Sequence, residues 1–372
     1  MNDLNKALMV LNGLPHVGPV TLNRLLGAFD GDAVKVMQAG RKALLKVAGV
    51  GPKIAGTLKG WRQYFDLRRE LELLKQHNAS FLTFKDGGYP ELLKQIADPP
   101  IGLYSRGVLE LERLRFIAIV GTRQPTLYGQ KQAGRFAARL AGAGYCVVSG
   151  LARGIDAAAH IGALDAGGAT VGVLGCGLDV VYPQENADLY DRIFSKGLVL
   201  SEFPFGRGAD RQTFPMRNRV VAGMCEAVVV VESGSNGGSL ITSRFAGEQG
   251  RQVFVLPGRV DQPTSAGCHQ LIRDGATLVT CAEDVIDELG AVGSDVLELQ
   301  REVEGANREL PQDLSSVEGR VLEALEGGEV ILLEDVALRA ELPVHEVAAS
   351  MMMLELKRLV AKRADGRFER RG

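Results

Sequence analysis

Between about residues 80 and 290 the chain alternates short, unbroken apolar runs with longer mixed stretches. Residues 116–120, 145–149, 170–174, 198–201, 227–231 and 253–256 are of strand length and rich in Val, Ile and Leu. A strand with one wet face alternates apolar with polar residues; these runs do not, which predicts strands covered on both faces. Residues 130–141, 156–166 and 239–249 lie between them and are long enough for crossover helices. Unbroken strands alternating with helices predict an α/β fold, a doubly wound and mostly parallel sheet.

The two ends have a different texture. Residues 1–75 read as short helices, and Val47-Ala48-Gly49-Val50-Gly51-Pro52-Lys53-Ile54-Ala55 has the apolar-x-Gly-apolar-Gly form of a helix-hairpin-helix (SAM-like) turn. A weaker echo is Leu14-Pro15-His16-Val17-Gly18-Pro19. The two glycines permit a tight turn whose N–H groups can face a DNA phosphate, although such hairpins also serve as packing modules. Toward the other end, helices are expected at 321–325 and 333–340, with a third opening at Leu342-Pro343-Val344-His345 and running to about residue 360. A basic hairpin at 361–370 with an Asp365-Gly366 turn completes a winged helix. Val344, Ala348, Met351, Met352 and Leu354 are core candidates on the third helix, and Glu346 and Glu355 dilute its charge, so protein contact competes with groove binding. The expected division is 1–75, 80–290, a polar, charge-rich linker at 291–312, and 313–372.

Composition narrows the classes. Over 372 residues, 43 Lys+Arg against 45 Asp+Glu leave a net charge of −2, which argues against a generally basic nucleic-acid coat but not against a local basic surface. Apolar residues at 46% and charged residues at 24% exclude wholesale disorder. Five widely spaced cysteines with no CxxC pair predict neither a disulfide framework nor a zinc site, and fit reduced thiols in a cytoplasmic protein. The Met-Asn-Asp start lacks a basic segment followed by an apolar one, so no secretory signal is expected, and no apolar run reaches the ~18 residues of a membrane span.

The chemistry-bearing residues fall where strands end, which is where open α/β sheets bind ligands. Gly121-Thr122-Arg123-Gln124-Pro125-Thr126 follows the first strand. Gly121 lets a ligand approach the backbone, Thr126 caps the next helix, and Arg123 beside that helix start suits a phosphate, or is merely a surface residue of a turn. The dinucleotide GxGxxG, the Walker sequence, HExxH and GxSxG are absent, so nicotinamide chemistry and P-loop hydrolysis lose support and no cofactor is expected. After the second strand, Asp156 and His160 stand one helical turn apart and are expected to pair with each other. The densest set is Arg211-Gln212-Thr213-Phe214-Pro215-Met216-Arg217-Asn218-Arg219. It offers guanidinium groups for phosphates and a ring for a base. Alternatively Phe214 is core and the arginines pair with Asp210 or Glu202; of Arg217 and Arg219, at least one is expected to be such a structural partner. Glu232-Ser233-Gly234-Ser235-Asn236-Gly237-Gly238-Ser239 supplies an anion nest, with Ser239 as helix cap.

Taken in order, these motifs resemble the DNA-processing protein DprA (Smf) family across nearly the whole chain. The resemblance rests on Gly88-Tyr89-Pro90, Asp98-Pro99-Pro100, Gly121-x-Arg123, Ser149-Gly150-x-Ala152-x-Gly154-Ile155-Asp156, Gly175-Cys176-Gly177-Leu178-Asp179 with Tyr182-Pro183, Ser201-Glu202, Phe214-Pro215-x-Arg217-Asn218-Arg219 and Gly238-Ser239-Leu240-Ile241-Thr242. It implies a Rossmann-like domain and a non-enzymatic protein that binds single-stranded DNA, dimerises through that domain, protects incoming DNA and loads RecA onto it during natural transformation. Single-strand-binding protein, which many members displace, is a further implied partner. The implied DNA pocket is Arg123, Arg211, Phe214, Arg217, Asn218 and Arg219, with Gly121 and Ser239 as positions of close backbone approach. Pro125, Thr126 and His269 depart from residues common in the family. One rival is a phosphoribohydrolase-type enzyme, but Thr242 stands where that group keeps its glutamate, and a hydroxyl cannot stabilise developing positive charge as a carboxylate does. A second rival is a duplex-DNA regulator acting through the winged helix.

Overall fold

In the computed structural model, residues 1–290, 314–325, 331–357, 359–362 and 367–370 are described. The chain divides into two units, Met1–Leu299 and Gln300–Gly372. The first is organised by a sheet of nine strands: β1 (Ala79–Thr83), β2 (Gly102–Gly107), β3 (Arg115–Val120), β4 (Tyr145–Ser149), β5 (Thr170–Leu174), β6 (Leu198–Ser201), β7 (Ala227–Val230), β8 (Gln252–Val255) and β9 (Thr277–Leu278). Their order is β1-β2-β6-β5-β4-β3-β7-β8-β9. From β6 to β9 all pairs are parallel, whereas β1, β2 and β6 pair antiparallel at one end. The chain walks from β3 to β6 in one direction and then returns to the other side of β3, so the topological switch lies between β3 and β7.

The six apolar runs are six of the seven strands in parallel pairing, each within a residue of its expected bounds. Their alternate residues serve opposite faces. Phe116, Ala118 and Val120 of β3 join one cluster with Val220, Val221 and Ala246 from the helices Thr213–Met224 and Gly238–Glu248. Ile117 and Ile119 join another with Phe136, Ala137 and Ala159 from the helices Leu127–Gly142 and Ile155–Asp165. With both faces roofed, an unbroken run of five apolar residues such as Phe116–Val120 loses nothing to water. At the antiparallel end, Leu8, Leu11, Leu25, Leu44 and Leu58 of the N-terminal helices share a cluster with Phe81, Tyr104, Leu174, Tyr190 and Val199. Among those helices, Arg41–Leu44 and Pro52–Lys59 flank the expected hairpin turn, where Gly49 takes a φ of +85° that an L side chain resists. No helix among the described residues is long and apolar enough to cross a membrane.

The second unit holds helices Ser316–Ala324, Leu333–Ala340 and Val344–Leu356 and a two-stranded antiparallel wing, β10 (Val360–Lys362) and β11 (Phe368–Arg370). Ser315 and Glu318 form a reciprocal capping box at the first helix. Val321, Leu322, Val336, Val347, Met351, Leu354 and Val360 make the core. The third helix is rotated from the expected phase: Val347, Ser350, Met351 and Leu354 face inward, while Val344 and Met352 are 47% and 68% exposed and Ala348 also faces out. Its apolar residues run almost all round the helix, so periodicity alone could not choose which stripe the other two helices would cover. The Asp365-Gly366 turn and the 291–312 linker lie outside the described residues.

Candidate nucleic-acid interface

A cleft of about 390 Å³ opens at the carboxyl ends of the strands, astride the switch between β3 and β7. Its walls are residues 120–123 after β3, Gly150 and Ala152 after β4, the first turns of Thr213–Met224, and Gly237–Thr242 in the loop and helix after β7.

Glu232 locks the β3 loop. Its backbone oxygen accepts from the Thr122 N–H at 2.7 Å, and its buried carboxylate accepts from the Thr126 N–H at 2.9 Å and the Thr264 hydroxyl at 2.5 Å. Thr126 caps the helix, as expected, accepting from the Gly129 N–H at 3.1 Å. Held this way, Arg123 is exposed and its guanidinium carbon stands 4.9 Å from the centre of the Phe214 ring, a cation–π contact. Phe214 is half-buried in the first turn of Thr213–Met224, and the Tyr182 ring lies 5.6 Å from it, inclined by 40°.

Arg217 and Arg219 lie on different sides of that helix. Arg217 lines the cleft floor at 6% exposure; its Nη1 donates to the Val173 carbonyl at 3.2 Å and stands 3.9 Å from Asp156. A Cβ at Gly150 would come within 1.2 Å of that nitrogen, so only glycine leaves the guanidinium its place. Arg219 points away from the cleft, 2% exposed, its Nη2 donating to both carboxylate oxygens of Glu202 at 2.5 and 2.6 Å and its Nε standing 3.3 Å from Asp98. It is the structural partner foreseen for one of the two. Burial pushes the Glu202 carboxyl above its ordinary value and Arg219 opposes the shift. Asn218 lines the cleft and donates to the Gly238 carbonyl at 3.4 Å. Arg211 is exposed just ahead of the same helix and is not among the lining residues.

Two expectations are corrected. Asp156 and His160 do not pair: Asp156 accepts from the N–H groups of Gly150 (3.1 Å) and Ala152 (3.4 Å), while His160 Nδ1 meets the Thr170 hydroxyl at 2.7 Å in the core. Two loop N–H groups compete better for the carboxylate than an imidazole that burial holds at a pKa of about 3. Ser239 is not the helix cap. Gly237 occupies that position and the Ser239 hydroxyl bonds Ser233 at 2.8 Å. Gly121 lines the cleft, but a Cβ there would strike Ile155 at 2.5 Å and the Glu232 carbonyl at 2.8 Å, so packing already demands glycine. Sequence reasoning passed over Tyr182 and Glu232 as site residues; the Tyr182-Pro183 pair after a Gly-rich strand end was the available signal for the first.

The cleft thus combines one exposed cation, an aromatic ring and a glycine-rich helix start. Thr242 lines it, and its one lining carboxylate, Asp156, is committed to Arg217 and two N–H groups, with burial raising its carboxyl against those partners. A Rossmann-like sheet bearing such a cleft, followed by a winged helix, defines a class of nucleic-acid-handling proteins. The chain belongs to the DNA recombination-mediator protein A family, whose model matches residues 80–290, and the DprA winged helix domain matches residues 306–366. Protein Smf of Synechocystis is 36% identical over 95% of this chain and 96% of its own length. The DNA processing protein DprA of Streptococcus pneumoniae is 44% identical over 55% of this chain and 72% of its own. The X-ray structure of the pneumococcal protein superposes with a TM-score of 0.66 at 35% identity, covering 77% of this chain and 99% of that one. DNA processing protein A of Helicobacter pylori, described for its single-stranded DNA binding mode, superposes with a TM-score of 0.52 at 31% identity over 56% of this chain and 95% of its own.

Proposed function

We propose that the cleft binds single-stranded DNA and that the protein acts by binding, not catalysis. The observation that carries this is the meeting of Arg123, Phe214 and the Gly238–Glu248 helix start around one opening, although they come from three separate strand-end loops. Arg123 takes a phosphate, the N–H groups at residues 237–239 take a second anionic oxygen, Asn218 orients the strand, and a base packs against the aromatic wall. Arg217 and Ser239 frame the pocket, Arg219 anchors the same helix from its far side through Glu202, and Arg211 extends the positive field at the rim. Support comes from the Helicobacter relative's described binding mode.

Carried further on family membership, the protein works in the cytoplasm as a homodimer during natural transformation. It protects incoming DNA, displaces single-strand-binding protein and hands the strand to RecA. Two clefts in one particle keep the second contact local and raise avidity.

The test is a titration of labelled oligo-dT and a matched duplex at two salt concentrations. Arg123→Glu weakens oligo-dT binding more than roughly tenfold and lowers the salt slope by roughly 0.7 or more. Unchanged binding in the folded variant rejects the cleft. Preference for the duplex supports the winged-helix regulator instead. RecA filament assembly on coated single strands, with particle mass measured alongside, tests the later steps.

A further inference from the structure

Phe214 is poorly placed to receive a base. Arg123 covers its ring at 4.9 Å, Tyr182 approaches at 5.6 Å, and a Cβ on Gly175 would lie 3.3 Å from its Cδ1, so protein already closes on it from several sides. Tyr182 is the ring left open, 45% exposed beside a narrow recess after β5 that shares Arg123, Phe214 and Arg217 with the cleft. It is also held firmly from behind. The Tyr190 hydroxyl, itself buried, donates to the Tyr182 carbonyl at 2.9 Å and accepts from its N–H at 3.4 Å. Asn186, four residues on, donates to the Leu151 carbonyl at 2.9 Å and so ties this loop to the cleft wall after β4.

A half-exposed aromatic ring on a pinned loop carries little ordering cost when a flat ligand arrives, because its backbone is already fixed. We infer that Tyr182 is the base-stacking surface of this cleft, with Phe214 as its backing and as the seat that aims Arg123. The ligand class is an unpaired nucleobase, and stacking makes the contact tolerant of base identity. The inference rests on the single-stranded DNA reading above and assigns the ring that serves it.

The probes are labelled oligo-dT and an abasic oligomer of equal length. Tyr182→Phe keeps the π face and stays within about twofold of the native protein. Tyr182→Leu keeps apolar packing but not the face, and weakens oligo-dT binding by roughly 5- to 150-fold with its salt slope intact. On the abasic strand Tyr182→Leu and the native protein bind alike. Native affinity of Tyr182→Leu for oligo-dT, or an equal loss on the abasic strand, overturns the inference. If native protein binds neither probe, the single-stranded DNA reading itself fails. If Arg123→Glu loses binding and Tyr182→Leu does not, that reading stands and the role of Tyr182 falls. Should Tyr182→Leu not fold, a strand carrying 2-aminopurine gives the answer with Phe214→Leu: quenching retained supports Tyr182, quenching lost refutes it.

Discussion

Replacing Arg217 with Met asks whether its guanidinium belongs to the protein's interior or to a ligand. Arg217 is 6% and Asp156 7% exposed, and 3.9 Å separates their charged atoms. Burial pushes the Asp156 carboxyl up; the Arg217 charge and the N–H groups of Ala152 and Gly150 hold it down. Removing the guanidinium leaves a buried carboxylate with two hydrogen bonds and only the weaker pull of the Arg123 charge. Stranding one member of a buried pair costs about 3–5 kcal/mol, and the long separation with the surviving backbone bonds places this case near about 3 kcal/mol. The sign with pH follows from the raised carboxyl. Its folded-state pKa exceeds the unfolded value of about 4, so the folded protein binds more protons in that window and stability falls as pH rises through it. Loss of Arg217 lifts the folded value further, so the variant's deficit grows only above the native protein's own raised folded value and levels off above the new one. Urea unfolding followed on Trp61, the sole tryptophan, reports the first unit because that ring packs against its core. Asp156→Asn in the Arg217→Met background recovers most of the loss, since an amide oxygen still accepts from Gly150 and Ala152. A deficit below about 1 kcal/mol that ignores pH, or a double variant no better than the single, refutes the assignment.

Two further outcomes test the framework around the cleft. Arg219→Met strands the buried Glu202 and destabilises the first unit by about 3–5 kcal/mol in the same urea assay, yet leaves the salt slope of oligo-dT binding unchanged in protein that remains folded. A shallower slope would make Arg219 a phosphate contact. His160, held at a pKa of about 3 by burial, is protonated far more readily in the unfolded chain, near about 6.5. The native protein therefore loses stability as pH falls below about 6.5, whereas His160→Leu lacks that component, and parallel urea midpoints at neutral and mildly acid pH would contradict it.

The six longer parallel strands were legible because burial on both faces leaves an unmistakable apolar run. β1, β2 and β9 were not. β2 is Gly-Leu-Tyr-Ser-Arg-Gly, broken by polar residues because it pairs antiparallel near the sheet edge, and β9 has only two residues. Both need neighbouring strands to define them, and β-propensity is mostly a statement about such neighbours. The winged helix was legible as three helices and a wing, but not in the phase of its third helix, where Met351 and Met352 carry the same side chain and only tertiary packing makes one core and the other surface.

Charge was harder to place than apolarity. Arg211, Arg217 and Arg219 look equivalent in sequence, yet Arg217 meets Asp156, Arg219 meets Glu202 at the end of β6, and Arg211 stays exposed. Two residues along a helix turn a side chain about 200°, which separates Arg217 from Arg219 but cannot say which one faces the opening. That depends on how the helix docks, a matter of residues far away in the chain. Among the residues lining the cleft, Arg123 is then the one exposed guanidinium. A site with one such cation gains little from counterion release, roughly 0.7 in slope per phosphate on a single strand. Tight binding must therefore draw on stacking, on backbone N–H groups and on a second cleft acting in concert, which is the physical reason the proposed dimer and the Tyr182 face belong to the same reading.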